Sequence, residues 1–266
     1  MQYDIIGIIG LGFVGNAIVE NYKTPSVTTV IIDPGKGYHN SYNDLKNCSA
    51  VFVCVPSPQG EDGSCDTTIF ESVLENLNAI NFTGVIISKV TAPPEVYKRL
   101  QEKHMNLVHV PEFLTAANAV EDYRIGEMCF IGGKAKAFRN EAQRIIVIGQ
   151  QYLKNIIHCS IQEASLVKYT MNCFLATKVI FMNEVAKLAE ANDCNWIVMQ
   201  EMLEVDHRIG STHLQVPGPD GKFGFGGMCF PKDTSAMLKF AEQAGQQMNV
   251  LEAVVKKNTL LRLKND

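Results

Sequence analysis

The sequence has no Cys-x-x-Cys pair among its eight cysteines, and no two of its six histidines stand four residues apart. Without those spacings neither a zinc knuckle nor a zinc helix has its ligands, and no metal is expected. Basic charge is not in excess either: Lys and Arg total 24 against 28 Asp and Glu, a formal charge of -4. That balance excludes a large phosphate-binding face, so nucleic acid is not an expected partner. Nowhere does an apolar run reach the roughly 18 residues of a membrane span. The start, Met1-Gln2-Tyr3-Asp4, has neither a basic segment nor a small-residue cleavage site. The expectation is a cytoplasmic protein with reduced thiols and no membrane attachment. With 46% hydrophobic and 20% charged residues, composition excludes disorder. A chain of 266 residues has room for one or two domains.

What is present is alternation. Short β-rich runs at Ile5–Ile9, Val27–Ile32, Ala50–Val55, Val85–Ser88, Leu107–Val110, Met128–Ile131 and Asn155–His158 are separated by longer helical patterns. Seven such strands predict an α/β fold, a Rossmann-like doubly wound and mainly parallel sheet, over residues 1–159. The polar stretch Ser57–Ser64 follows the third strand, at the carboxyl edge where such sheets bind ligands, and is a candidate cofactor loop.

At Ser160 the pattern changes. Ser160-Ile161-Gln162-Glu163 has the form of a capping box, and no helix breaker follows until after Asn192. The helix this predicts is about 48 Å long at 1.5 Å per residue, suited to a domain connector and a dimer core. An all-helical domain over 160–266 is expected around it. Trp196–Val205, Thr234–Ala244 and Val250–Leu263 read as further helices, and Gly210–Pro231 as a long functional loop.

Gly10-Leu11-Gly12-Phe13-Val14-Gly15 fits G-x-G-x-x-G directly after the first strand and opens a helical pattern. Its glycines permit a tight turn and close approach of a pyrophosphate to the helix N-terminus. Asp33 stands 18 residues after Gly15, where its carboxylate accepts bonds from ribose hydroxyls and repels a 2′-phosphate, favouring NAD over NADP. A second dense segment runs from Phe223 to Asp233. Its glycines let backbone approach a ligand, and Pro231 suits the first turn of a helix. Cys229 then sits near a helix N-terminus with Lys232 beside it, an environment that favours a thiolate nucleophile. Lys168 and Asn172, four apart on the long helix, are able to project from one face.

In this order these segments resemble the UDP-glucose 6-dehydrogenase family, within the nucleotide-sugar dehydrogenases that oxidise a sugar alcohol to a carboxylate. The resemblance rests on Gly10–Gly15, on Cys54-Val55-Pro56-Ser57-Pro58 with Asp62-Gly63-Ser64 and Asp66-Thr67-Thr68, and on Val110-Pro111-Glu112-Phe113-Leu114. It continues through Lys168-Tyr169 with Asn172 and Asn183-Glu184, and through Gly224–Asp233. It implies NAD on Gly10, Gly12, Phe13, Val14 and Gly15, with Asp33 on the ribose and Pro56, Ser57 and Thr91 along the cofactor and reaction site. Cys229 is implied as the nucleophile that carries a thioester. Lys168, Asn172 and Asp233 would hold the water and oxyanion, with Glu112 as general base. Phe113, Leu114, Phe223, Gly226 and Lys232 would line the sugar nucleotide, and Arg208 would reach the substrate of a neighbouring subunit in a homodimer built on the long helix.

Two departures stand out. Ala116 occupies the position, four after Glu112, where the family usually carries a second acidic residue, which implies slower thioester hydrolysis. The family also usually continues into a third α/β domain. This chain is therefore expected to be either a compact member or a form that binds NAD without turnover. UDP-glucose is the leading substrate. GDP-mannose, a UDP-N-acetyl-hexosamine, or an idle NAD- or nucleotide-sugar-binding module are the alternatives.

Overall fold

The computed structural model describes residues 4–263. They form two compact units, 4–58 with 66–168, and 59–65 with 169–263. The first contains β1 (Asp4–Ile9), α1 (Phe13–Asn21), β2 (Val27–Asp33), β3 (Tyr38–His39), β4 (Ala50–Val53), α2 (Thr68–Ala79), β5 (Val85–Ser88) and α3 (Pro94–Lys103). It continues with β6 (Leu107–His109), α4 (Ala119–Ile125), β7 (Met128–Gly132), α5 (Lys136–Gly149) and β8 (Asn155–Cys159). The strand order is β3-β2-β1-β4-β5-β6-β7-β8. The fold is the α/β doubly wound sheet read from the sequence, with one addition: the two-residue β3, too short to show periodicity, pairs antiparallel with β2. A second antiparallel junction joins β6 to β7, through His109 and Gly132.

The strands are apolar on both sides because both sides are covered. Ile6, Ile8, Phe52 and Ile87 pack with Ala17 and Ile18 of α1 and Ile145 and Ile146 of α5. Their neighbours Ile9, Val51, Val53 and Ile86 point the other way, onto Phe70 and Leu74 of α2 and Tyr97 and Leu100 of α3. At about 1.5–3 kcal/mol for each large side chain removed from water, these two layers supply most of the unit's hydrophobic stabilisation. The strand order reverses between β1 and β4, which opens a crevice at their carboxyl ends.

The long helix is α6 (Ile161–Glu190), and its capping box forms as the sequence implies. The Ser160 N–H donates to Glu163 Oε2 at 2.7 Å, and the Glu163 N–H to Ser160 Oγ at 3.2 Å. The expected division at 159/160 falls at the start of α6, and by packing the first unit runs on to Lys168, eight residues into the helix. The first turns of α6 pack with the sheet: Ile161 joins its apolar layer, and Ser165 Oγ donates to Ala92 O at 2.6 Å.

The second unit holds the rest of α6 with α7 (Trp196–Glu204), α8 (Phe230–Gln243) and α9 (Asn249–Leu263). Its core is two small clusters, Tyr169, Cys173, Ala236, Met237 and Leu251, and then Ala176, Ile180, Phe225, Val254 and Leu261. Helix α8 starts at Phe230, earlier than the expected Thr234, because Pro231 serves its first turn. The expected cofactor loop Ser57–Ser64 is divided: Gln59–Cys65 belongs to this unit, where Gln59 Nε2 donates to Ser235 Oγ at 3.1 Å and Ser235 Oγ to Gly63 O at 3.0 Å. Among the described residues no helix is long and apolar enough to cross a membrane.

Candidate active site

In the first unit the glycine loop leaves β1 with Gly10 at φ +91°, and a Cβ there would meet the Cys54 backbone. At Gly15 a Cβ would collide with the Gly10 carbonyl oxygen, so α1 packs against the loop only with glycine at both places. A Cβ at Gly12 would meet nothing within 4 Å: the loop's outer face is open. Gly12 caps α1 without a side-chain hydrogen bond, which leaves the first-turn N–H groups of Phe13 and Val14 to an external acceptor. Asp33, at the end of β2, accepts the Leu11 N–H at 2.6 Å and so ties the acid to the loop. Ser57 is buried, its Oγ donating to Thr91 O at 2.7 Å, while Pro56 is exposed. An open glycine cradle, an uncapped helix N-terminus and an acid at the neighbouring strand end fit a dinucleotide.

Glu112 follows β6 and is buried. Its Oε2 accepts the Leu114 N–H at 2.8 Å, and the Lys168 ammonium donates to its Oε1 at 3.1 Å and to its carbonyl at 2.7 Å. The same ammonium lies 5.3 Å from the Phe113 ring centroid. Behind this pair is a cavity of about 120 Å³ lined by Lys89, Glu112, Phe113, Tyr123, Cys129 and Gln150 among others. Lys89 is buried over the Tyr123 ring at 5.6 Å, and burial pulls its pKa below the usual lysine range. His109 is buried beside Tyr97. Burial pulls its pKa down to about 3, with Lys89 and Lys168 acting in the same direction and its bond to Ser88 O opposing. Neither group drew notice in the sequence, where a lone Lys or His at a strand end has no distinguishing pattern.

In the second unit Cys229 is the N-cap of α8 and half-buried. The Asp233 N–H closes the first turn on Cys229 O at 2.8 Å. Asp233 is 1% exposed; it accepts from Asn172 Nδ2 at 2.6 Å and pairs with Lys232. The Lys232 ammonium, adjacent in sequence, donates to the Asp233 carboxylate. The glycine-rich stretch before Cys229 is held from three sides. Asn183 Oδ1 accepts the Gly224 N–H at 3.0 Å, and Asn258 Oδ1 the Phe225 N–H at 2.7 Å. Arg262 donates to Phe225 O and Gly224 O and pairs with Asp220. Its guanidinium also stands within 2.9 Å of where a Cβ on Gly226 would be. Phe223 is half-buried, with Lys187 over its ring at 5.4 Å. Asn258 and Arg262 went unnoticed in the sequence; their only signal is an i, i+4 spacing on α9. Arg208, after α7, is exposed and paired with Asp206.

The eight cysteines form no disulfide, and among the described residues no group of three or more His, Cys, Asp or Glu side chains is placed to hold a metal. Together the fold and the glycine cradle define a dinucleotide-binding protein with a second, helical unit that carries a cysteine centre. Residues 36–148 match the model of the UDP-glucose/GDP-mannose dehydrogenase family, NAD binding domain, and residues 162–260 that of the same family's central domain. The chain belongs to this family, and its first unit carries the family's NAD-binding domain. Gly10–Gly15 and Asp33 lie ahead of the matched range, so the cradle rests on its own geometry.

A UDP-glucose 6-dehydrogenase of Rickettsia bellii (strain RML369-C) is 33% identical over 225 residues, 82% of this chain and 51% of the relative. One from Pseudomonas aeruginosa is 31% identical, over 80% of this chain and 49% of that protein. The chain thus spans about half the length of the curated relatives it matches. Among solved structures, a UDP-glucose dehydrogenase from the archaeon Pyrobaculum islandicum superposes with a TM-score of 0.81 at 25% identity, covering 97% of this chain and 68% of that one. A Mycobacterium tuberculosis 3-hydroxyisobutyrate dehydrogenase reaches 0.75 at 15% identity, covering 96% and 92%, a likeness of fold alone.

Proposed function

We propose that this chain is a nucleotide-sugar dehydrogenase that oxidises the C6 alcohol of UDP-glucose to the carboxylate of UDP-glucuronate. The observation that carries the reading is Cys229 at the N-terminus of α8 with the buried Asn172–Asp233–Lys232 network one turn away. A plain alcohol dehydrogenase has no use for a thiol there. Bound NAD supplies the hydride acceptor for two successive two-electron oxidations. The first turns the alcohol into an aldehyde, with loss of one hydride and one proton. The Cys229 sulfur adds to the aldehyde carbon to give a thiohemiacetal, whose oxidation leaves a thioester. Water then adds to the thioester carbonyl, the carbon–sulfur bond breaks, and the thiol is recovered with the carboxylate. The sum is one alcohol, two NAD and one water to one carboxylate, two NADH and three protons.

In this reading Glu112 takes the proton from the attacking water. Lys168 supplies the charge that stabilises the oxyanion, and Asn172 and Asp233 hold donor and acceptor for water. The Glu112–Lys168 pair supports that assignment: the two side chains are buried and bonded to each other, which holds the carboxylate in one place beside the ammonium. Incubation with NAD and a panel of UDP-glucose, GDP-mannose and UDP-N-acetyl-hexosamines, counting NADH per acid formed, tests it. Two NADH per UDP-glucuronate are expected. One NADH per carbonyl product overturns the thioester, another sugar reassigns the substrate, and none reduces the chain to a binding module.

We infer as well that the chain works as a homodimer through α6. Phe174, Phe181 and Leu188 are 68%, 58% and 64% exposed at seven-residue spacing, on a different side of α6 from the buried Cys173, Ala176 and Ile180. A second copy of the same helix is the partner such a stripe suits. Light scattering should give twice the chain mass, and Phe181→Glu should halve it; a monomeric unaltered chain overturns the dimer.

A further inference from the structure

A proton taken up by Glu112 has few ways out. The side chain is 8% exposed, so it does not lose a proton directly to bulk water. The Lys168 ammonium beside it donates to Glu112 O and Oε1, and an ammonium has no lone pair with which to accept. The Leu114 N–H on Oε2 is a donor as well. These bonds use two of the roughly four acceptor positions of a carboxylate and leave one on each oxygen. What remains is the cavity of about 120 Å³ behind the pair. One water needs only about 10–15 Å³ of such space, so the cavity has room for a short chain of them.

The same cavity is lined by a second buried group that can take a proton. Lys89 is 7% exposed, and among the described residues its Nζ makes no hydrogen bond, lying instead over the Tyr123 ring at 5.6 Å. A buried amine without a protein acceptor needs water, and the cavity is where water reaches it. Burial pulls its pKa below the usual lysine range and the Lys168 charge acts the same way, while Cys129, Cys54 and Glu112 oppose. The neutral amine is thus easier to reach than for a lysine in water. Of the other titratable groups facing the cavity, Tyr123 and Cys129 keep their protons, since burial pushes both pKa values up, that of Cys129 to about 11. Asp122 accepts from Thr115, and Glu127 pairs with Lys154. Glu127 and Met128 are exposed, which puts that end of the cavity at the surface.

We propose that Lys89 is the proton acceptor behind Glu112: through a chain of cavity waters its amine takes the proton that Glu112 removes from the water attacking the thioester. The proposal rests on the thioester reading above, and Lys89 acts in it through Glu112 and not on the substrate. As the water oxygen bonds to the thioester carbon, one of its O–H bonds breaks and the proton passes to the Glu112 carboxylate. Cavity water then carries that proton to Lys89 Nζ, which restores the carboxylate and leaves an ammonium. The ammonium gives its proton to bulk water past Asp122 and Glu127. No electrons change hands, and both groups return to their starting forms.

The test uses the full chain with Lys89→Met and Lys89→Arg. Replacing an amine that has no protein acceptor removes a buried polar group, so Lys89→Met should fold and bind NAD as the unaltered chain does. With UDP-glucose and NAD, the first two NADH per chain should form within twofold of the unaltered rate. Steady turnover should fall at least about tenfold, with the thioester accumulating on acid-quenched chain in mass spectrometry. Lys89→Arg should lose as much, since a guanidinium does not give up its proton. Trimethylamine takes up a proton but forms no amide; at constant pH it should restore most of the turnover lost in Lys89→Met and leave the unaltered chain unchanged. In nitrogen-15 NMR of the lysine amines, Lys89 should titrate below its ordinary 10.5, and lower still in Glu112→Gln, because the Glu112 carboxylate favours the ammonium. Turnover within twofold in Lys89→Met, full turnover in Lys89→Arg, no rescue by trimethylamine, or titration at the ordinary value each overturn the relay alone. An unaltered chain that forms no acid overturns the functional reading and the relay with it.

Discussion

Gly10 and Asp33 in the first unit stand where strands end, held by the backbone ladder of a sheet whose two faces are buried in continuous apolar layers. Gly224 and Phe225 in the second unit stand in a long stretch without helix or strand, held by Asn183, Asn258 and Arg262. The first arrangement is cooperative: a register shift of one strand moves every side chain on it, so the site is as rigid as the sheet. The second is a set of separate side-chain bonds, each of which can be cut alone. Rigidity in the cofactor unit thus comes from secondary structure, and in the cysteine unit from buried polar side chains, most of them on α6 and α9.

Single substitutions should separate the two kinds of rigidity. The largest effect belongs to Cys229→Ser, which should cut steady turnover by at least about a thousandfold, on the scale seen when other covalent nucleophiles are removed. NAD binding by the first unit should stay unchanged; a coupled loss in calorimetry would mean that the units do not divide the labour. Gly15→Ala is the converse. Its Cβ meets the Gly10 carbonyl, so the loop must shift, and NAD affinity should fall about a hundredfold, some 2.7 kcal/mol, with UDP affinity kept. Asn258→Ala leaves the buried Phe225 N–H without its acceptor. It should destabilise the second unit by about 1–3 kcal/mol in denaturant unfolding and weaken UDP binding, without touching NAD.

The last test is of pH dependence, read as a slope and not as a loss at neutral pH. His109 is held at about 3 in the folded chain, below its ordinary 6.5. Between those values the unfolded chain binds the proton and the folded chain does not. Its contribution is therefore complete above pH 6.5 and lost as pH falls, by up to about 1.4 kcal/mol per unit. His109→Gln should flatten the stability curve between pH 6.5 and 3; an unchanged slope would show that His109 takes up a proton in the folded state.

The glycine cradle, Asp33, the capping box of α6 and the position of Cys229 near a helix start were legible because each is a local pattern with a local cause. Strand boundaries were close for the same reason, buried parallel strands being continuous apolar runs. What was not legible depends on residues distant in sequence. Asn258 reaches Phe225 across 33 residues and Lys178 reaches Ile209 across 31, and no spacing rule links such partners. A capping box marks where a helix starts, not where packing changes along it, so by packing the first unit runs on to Lys168. The pair between Lys232 and Asp233 joins sequence neighbours, yet the Asn172 amide that completes it comes from 61 residues away.

The excursion Gln59–Cys65 bears on how the protein comes to be folded. It begins and ends at one point, since the Asp66 N–H donates to Pro58 O at 2.8 Å, and Gln59 and Cys65 form an antiparallel bridge. Yet its bonds are to Ser235, 172 residues away from Gly63. Closing a flexible loop of that length costs about 4–5 kcal/mol by the logarithmic rule, a burden no helix of the second unit carries internally. The finger is synthesised well before its partner on α8. The helical unit is therefore assembled from segments 172 residues apart, and a fragment starting at residue 169 would lack a strut that the unit borrows from the part made earlier.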